Sequence, residues 1–409
     1  MTDRLESWLA RAADDSVFGW CSRGLTCGIS VSDGDRTLTL RLGDRPKVEN
    51  DGGGEIALRS PPALWDRVLS ATPPPGYHSF GALMRNPDGP EISGDPLTVA
   101  QALAALERLI ELARPSEAPF AGFAFAHDPG SVSGHRRVLT DGRGATACLH
   151  WLEAGQGVPI VFLHTAGADA RQYLHQMADL ELQKTHRLLA FDMPWHGLSS
   201  GENDRETTAG YELTEESYLS WVAAFIEQVA GGPALLVGCS MGASMALTMA
   251  ARRPELLRGA IALEAPLRSP GRKSDLLTDA RVSNGFHNPA YVRAMLGPSC
   301  PQKQRDEACA IYAQGRPGVY MGDLHYYSEE YDGEALAPAI RESGVRIELL
   351  TGSYDYSASP ENTRSIAALL DPEKVRFTEM DGLGHFPMIE DPDRFRFYFI
   401  TALNKLEER

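Results

Sequence analysis

Short apolar runs that alternate with helix-like stretches set the tightest limit on how this chain can fold. "VPIVFLHTAG" (158–167), "HRLLAFDMPWHG" (186–197) and "PALLVGCS" (233–240) are such runs, followed by "GAIALEAP" (259–266), "VRIELLTGSYD" (345–355) and "VRFTEMDGLGHFP" (375–387). The first four are short, largely continuous apolar runs, as expected of strands buried on both faces of a parallel sheet, and the last two complete the set. Between them lie helical patterns such as "ESYLSWVAAFIEQVA" and "GASMALTMAARRPELL". Strand, helix, strand in repetition predicts an α/β fold, with a mainly parallel sheet covered by helices on both faces. "RRVLTDGRG" and "TACLHWLEAGQG" precede the series and read as a hairpin. Residues 266–340 interrupt the rhythm with a long, irregular, aromatic stretch, which is expected to form an inserted cap or lid.

The first 114 residues follow another pattern. "CGISVSDGDRTLTLRL" alternates, with Ile29 and Val31 and then Leu38, Leu40 and Leu42 at period two and Asp33-Gly34 at the turn, which predicts a hairpin. "GEIALRSPPALWDRVLS" predicts a strand and then a helix around Leu64, Val68 and Leu69. "DPLTVAQALAALERLIELARP" predicts a helix capped by Thr98, with Leu103, Leu106, Ile110 and Ala113 on one face and Pro115 beyond its end. This small α+β domain, 1–114, resembles the sterol-carrier-protein-2-like fold. Packing or dimerisation is its plain role; the resemblance adds lipid binding or substrate presentation. Residues 115–134 are rich in Pro, Gly, Ala and Ser, and form a linker or wrapping arm docked through Phe120, Phe123 and Phe125.

The net charge of −16 argues against nucleic acid and anionic membranes as main partners. No apolar window is long enough to span a membrane, and the charged N-terminus does not read as a secretory signal, so a cytoplasmic location is expected. Cys21, Cys27, Cys148, Cys239, Cys300 and Cys309 have no C-x-x-C spacing, which favours free thiols over disulfides and offers no metal site.

Gly238-Cys-Ser-Met-Gly242 sits where an apolar strand turns sharply into a helix. Such a turn pushes Ser240 out of the sheet's carboxyl edge, and flanking glycines remove the clashes it creates. The helix N-terminus favours negative charge developing there. Asp355 and His385 follow in order, each just after an apolar strand. A histidine can take the serine proton and return it to a leaving group, while a carboxylate fixes its tautomer. Ser240, His385 and Asp355 are therefore the expected triad. Glu264 is a spare candidate for the acid, and Cys239 reads as a buried bystander.

Residues from about 135 to 409 thus resemble the α/β-hydrolase superfamily, through "FLHTAG", "FDMPWHGLS", Gly-Cys-Ser-Met-Gly, "TGSYD" and "GLGHFP". The resemblance implies the eight-stranded α/β-hydrolase fold with 266–340 as lid. It also implies an oxyanion hole of two backbone amides: Met241, and on the loop 164–167 Ala166, with Thr165 next to it. Thr165 stands where glycine is usual, and Trp195 makes Pro194-Trp-His-Gly197 depart from the commoner Pro-Gly-His-Gly. Trp195 is a candidate pocket wall. Arg171, His325, Tyr326 and Tyr327 are further substrate-binding candidates beside their plainer roles in ion pairs and packing. His164 is another, although it and His196 are usually structural in such loops.

The expected activity is that of a serine hydrolase that cleaves an ester, thioester or lactone of a small to medium apolar or aromatic substrate through an acyl-enzyme, without cofactor or metal. The alternative within the family is C–C bond hydrolysis of β-diketone-like products of aromatic ring cleavage. A non-catalytic lipid-binding protein is disfavoured by the intact triad, and the serine disfavours epoxide and haloalkane hydrolysis. The extra N-terminal domain offers a surface for a homodimer.

Overall fold

The apolar runs lie side by side in one sheet. In the computed structural model, which describes residues 2–50, 53–114, 122–205 and 207–408, two sheets form. The first contains Gly28–Ser32 (β1), Thr37–Arg41 (β2), Lys47–Glu49 (β3), Ile56–Arg59 (β4) and Glu91–Ser93 (β5), in the order β3-β2-β1-β4-β5. The second contains Ser133–Thr140 (β6), Thr146–Gly155 (β7), Val158–Leu163 (β8), His186–Phe191 (β9), Ala234–Cys239 (β10), Leu257–Leu263 (β11), Ile347–Gly352 (β12) and Val375–Met380 (β13). Its order is β13-β12-β11-β10-β8-β9-β7-β6. β7 pairs antiparallel with β6 and β9, and every other pairing is parallel.

Burial explains the unbroken apolar runs. All six residues of β10 are buried, because helices cover both faces. Glu215–Phe225, Met241–Arg252 and Gly333–Ser343 pack on one face around Leu236, Val161 and Leu349. Pro392–Glu407 and the 170–177 turns pack on the other, around Ile160, Val237 and Leu350. Each fully buried Leu or Val contributes roughly 1.5–3 kcal/mol.

In the N-terminal domain β1 and β2 form the expected hairpin, closed by Asp33 N–H donating to Arg36 O at 3.2 Å. Helices Thr2–Asp14 and Pro96–Glu111 cover its sheet, with the Trp8 and Trp65 rings 5.8 Å apart in the core. Thr98 does not cap the second helix. Asp95 is the cap, and its carboxylate accepts from Thr98 N at 3.0 Å and Thr98 Oγ1 at 2.9 Å. Asp95 precedes Pro96, whose fixed φ suits the first helical position, so the helix starts two residues before Thr98.

Of the expected arm 115–134, residues 115–121, Phe120 among them, lie outside the described residues. Phe123 packs 4.9 Å from His175, the Arg396 guanidinium lies 5.2 Å over Phe125, and Ala124 N–H donates to Asp393 at 2.9 Å.

Residues 266–332 cross the carboxyl edge of the main sheet and contain helices Asn284–Ala294, Gln302–Ala313 and Val319–His325. Gly333–Ser343 instead packs on Met241–Arg252, so this insertion ends earlier than the expected 340. Its first helix also packs on Pro96–Glu111, which ties the N-terminal domain to the insertion. All six cysteines are free thiols. Among the described residues no helix is long and apolar enough to cross a membrane.

Candidate active site

Ser240 joins β10 to helix Met241–Arg252 with φ 55° and ψ −113°, a backbone region that non-glycine residues avoid. Such a conformation costs about 1–3 kcal/mol and persists only where its surroundings hold it. Here Ser240 N–H donates to Leu263 O at 2.8 Å. A Cβ on Gly238 would sit 2.1 Å from the Gly242 carbonyl oxygen, and one on Gly242 would sit 2.4 Å from that of Leu163. Both glycines are required for the turn to close.

Asp355 follows β12 and His385 follows β13, and both are buried. Asp355 Oδ2 accepts from His385 Nδ1 at 2.7 Å. Its Oδ1 accepts from Ser357 N at 2.6 Å and Ala358 N at 3.1 Å, which fixes the carboxylate. Burial opposes the Asp355 charge, but the adjacent His385 outweighs it and holds the pKa down at about 2. Ser240 and His385 line one cavity of about 30 Å³ beneath the insertion. Within it Ser240 Oγ donates to Tyr327 Oη at 3.1 Å.

Glu264, at φ 54°, touches this group from the end of β11. Its carboxyl accepts from Gly352 N–H at 3.0 Å and hydrogen-bonds Asp355. Burial first, and then the Asp355 charge, raise its pKa well above the usual carboxylate range. Two buried carboxyls in contact cannot both ionise. Asp355 carries the charge and Glu264 the proton. Among the described residues, Glu264, Asp355 and His385 are the group whose ligand-type atoms fall within 4.8 Å of one another; the bonds above account for it. Cys239 is fully buried, its thiol donates to His385 O at 3.3 Å, and burial pushes its pKa well up.

Met241 opens its helix, and Ala166 lines the cavity. Thr165 lines it too, but it is not a free oxyanion donor: its N–H is bonded to Gln172 Oε1 at 2.9 Å. That bond orders the loop and leaves Ala166 as its candidate donor.

Of the six proposed substrate contacts, Tyr327 lines the cavity. The other five are placed elsewhere. His164 is saturated, with Nδ1 bonded to Thr165 O at 2.8 Å and Nε2 accepting from Met193 N at 3.2 Å. Burial lowers its pKa to about 4, so it is neutral. Arg171 pairs with Asp169 at 2.6 Å. Trp195, at φ 75°, packs toward Gly201 and Tyr211. His325 pairs with Glu329 at 2.8 Å on the outside of the insertion. Tyr326 is buried in the core, its hydroxyl 3.0 Å from Thr248 Oγ1.

Residues without a motif also line it, among them Tyr291, Tyr312, Tyr320 and Arg272, and so does Phe386 next to His385. The expectation that lid aromatics face the pocket fits these tyrosines, at other positions. No spacing pointed to Arg272, which follows Pro270-Gly271 in the irregular start of the insertion.

Comparison with known proteins agrees with this architecture. The chain is 31% identical over 161 residues to the 2-(acetamidomethylene)succinate hydrolase of Mesorhizobium japonicum, an alignment covering 39% of this chain and 54% of that protein. The chain thus spans about half the length of that curated relative. The enol-lactonase of Burkholderia xenovorans LB400 superposes with a TM-score of 0.56 at 19% identity, over 66% of this chain and all of that one. A thermophilic esterase from Thermogutta terrifontis gives 0.55 at 21% identity, over 67% of this chain and all of the esterase. At such identities the structures establish the fold. Residues 160–396, more than half of the chain and the stretch from within β8 to past His385, match the alpha/beta hydrolase family, and this protein belongs to it.

Proposed function

We propose that this protein is a serine hydrolase that cleaves a carboxylic ester, thioester or lactone through an acyl-enzyme. The carrying observation is the His385–Asp355 bond of 2.7 Å beside a serine held at a strained strand–helix turn, with Ser240 and His385 lining one cavity. A fixed imidazole next to a nucleophile on a helix N-terminus is the arrangement acyl transfer needs.

Ser240 Oγ turns from Tyr327 and attacks the scissile carbonyl carbon as His385 Nε2 takes its proton. The amides of Met241 and Ala166 receive the oxyanion. The carbonyl carbon–leaving-group bond then breaks, and His385 returns the proton to the departing alcohol or thiol. Water, activated by the same imidazole, releases the acid and restores Ser240. Asp355, ionised and held by two backbone amides, keeps Nδ1 protonated. The names of the relatives, hydrolases of a substituted succinate and of an enol lactone, agree with carbonyl chemistry on small acids.

A fluorophosphonate probe should label the wild type, which should also hydrolyse p-nitrophenyl butyrate. Ser240→Ala should lose both. Labelling that persists in Ser240→Ala would sink the assignment.

A further inference from the structure

A second and larger cavity, of about 400 Å³, opens between the N-terminal domain and the insertion. It shares Arg272, Tyr291 and Tyr320 with the Ser240 cavity, so the two meet at those side chains. The N-terminal domain supplies Ile92, Val99 and Leu103 to its wall, and the insertion supplies Leu276 and Leu277. These surfaces are apolar, yet two guanidiniums, Arg85 and Arg272, also face the chamber.

The charge pattern is unusual for this chain. Its net charge is −16, but among the described residues no Asp or Glu lines either cavity. Arg272 donates to Ser357 Oγ at 2.8 Å and to Ser357 O at 2.5 Å. Arg85 donates to Tyr291 Oη at 2.8 Å. Both therefore spend bonds on neutral oxygens. The neighbouring Arg268 and Lys273, by contrast, pair with Asp332 at 2.7 Å and Glu329 at 3.3 Å. Arg85 is exposed, but Arg272 is half-buried and bonded, among the described residues, to neutral groups; such a guanidinium retains most of its attraction for an anion, and its planar fork suits a carboxylate.

We infer that the interdomain chamber is the substrate's binding site, and that its ligand is an organic carboxylate with an apolar body. The carboxylate lies on Arg272 where the two cavities meet, the apolar body lies along Val99, Leu103, Leu276 and Leu277, and the bond to be cleaved enters the Ser240 cavity past the shared Tyr291 and Tyr320. The N-terminal domain is then a wall of the substrate site. This deepens the serine-hydrolase reading by assigning its substrate class. Anchoring through Ser357 also links the anion to the loop that holds Asp355, since Ser357 N–H donates to Asp355 Oδ1.

Binding to the full-length chain, read by calorimetry, tests the site without using catalysis. Octanoate should bind about 10- to 100-fold more tightly than 1-octanol, the worth of one charge-assisted contact. Arg272→Gln should erase that difference, and Arg272→Lys should retain part of it. Val99→Trp, which fills the chamber from the N-terminal domain, should weaken both ligands by about tenfold, as expected when a buried apolar contact is lost. Melting curves confirm that each variant is folded. Equal binding of octanoate and octanol by the wild type overturns the inference. So does a preference that survives Arg272→Gln, or unchanged binding in Val99→Trp. Fluorophosphonate labelling of the wild type reports on Ser240 separately, so selective octanoate binding without labelling would reject the hydrolase reading and keep the site.

Discussion

At the residue scale, the two acidic candidates take opposite charge states. Asp355 makes the bond to His385, while Glu264 lies behind it and is neutral. Asp355→Asn should keep the fold and lower turnover by on the order of 10³ or more, because the imidazole loses its oriented tautomer. Glu264→Gln, which replaces one neutral group by another, should change unfolding free energy by less than about 1 kcal/mol below the ordinary carboxyl value of 4.5, where Glu264 is neutral in the folded and unfolded chain alike. The pH dependence has a definite sign. A carboxyl raised above its ordinary 4.5 stabilises the fold fully below that value and loses its contribution as pH rises through the folded pKa. Urea titrations should therefore show wild-type stability falling as pH rises above 4.5, and Glu264→Gln should flatten that fall and be the more stable protein at neutral pH. A variant that shows the same fall would remove Glu264 as its source. The sequence marked Asp355 as the better acid from its loop position. The proton on Glu264 was not legible, because it arises from burial beside a second carboxyl.

At the element scale, one insertion side chain fastens several core loops. Asp323, in Val319–His325, accepts from Gly167 N–H at 2.7 Å through Oδ2 and from Tyr211 Oη at 2.8 Å through Oδ1. Its Oδ2 also bonds His196 Nε2 at 2.8 Å, with both side chains almost fully buried. Burial opposes the His196 charge, but Asp323 outweighs it and raises the pKa. This pair stabilises the fold fully below the ordinary histidine value near 6.5 and loses its contribution as pH rises through the folded value. Asp323→Asn should cost about 3 kcal/mol of unfolding free energy, as for a broken buried pair, and remove that pH dependence. It should also lower kcat by loosening the loop that carries Ala166. A variant with wild-type stability above and below neutrality would show that the latch carries no weight. The sequence placed His196 in a structural role, but its partner lies 127 residues away and no local pattern announces it.

At the scale of the whole molecule, the insertion is clasped between two bodies. Glu111, at the end of helix Pro96–Glu111, receives Arg293 Nε at 2.5 Å and lies 3.4 Å from Arg305 Nη1, both on insertion helices. Tyr354, beside Asp355 on the loop after β12, donates to Pro73 O of the N-terminal domain at 2.8 Å. Glu111→Gln leaves the Arg293 and Arg305 charges facing a neutral amide in a largely buried place. It should lower unfolding free energy by about 3 kcal/mol, measured by urea denaturation. An unchanged midpoint would mean that the Glu111 ion pairs add nothing to the packing and the other hydrogen bonds that join the two bodies. The sequence by itself determined the order of buried strands and helices, the turn that exposes Ser240, and the chain positions of Asp355 and His385. Those features are local: continuous apolar runs dictate two-sided burial, and glycines two residues either side of a serine permit one sharp turn. Only the tertiary structure decided that Gln172 occupies the Thr165 amide, that Trp195 and Tyr326 face away from the cavity, and that Arg272 faces it. Arg268, Arg272 and Lys273 look alike in sequence, and what separates them is which carboxylates the fold brings near. Ion pairing and exposure depend on contacts between residues far apart in the chain, and spacing along the chain does not record them.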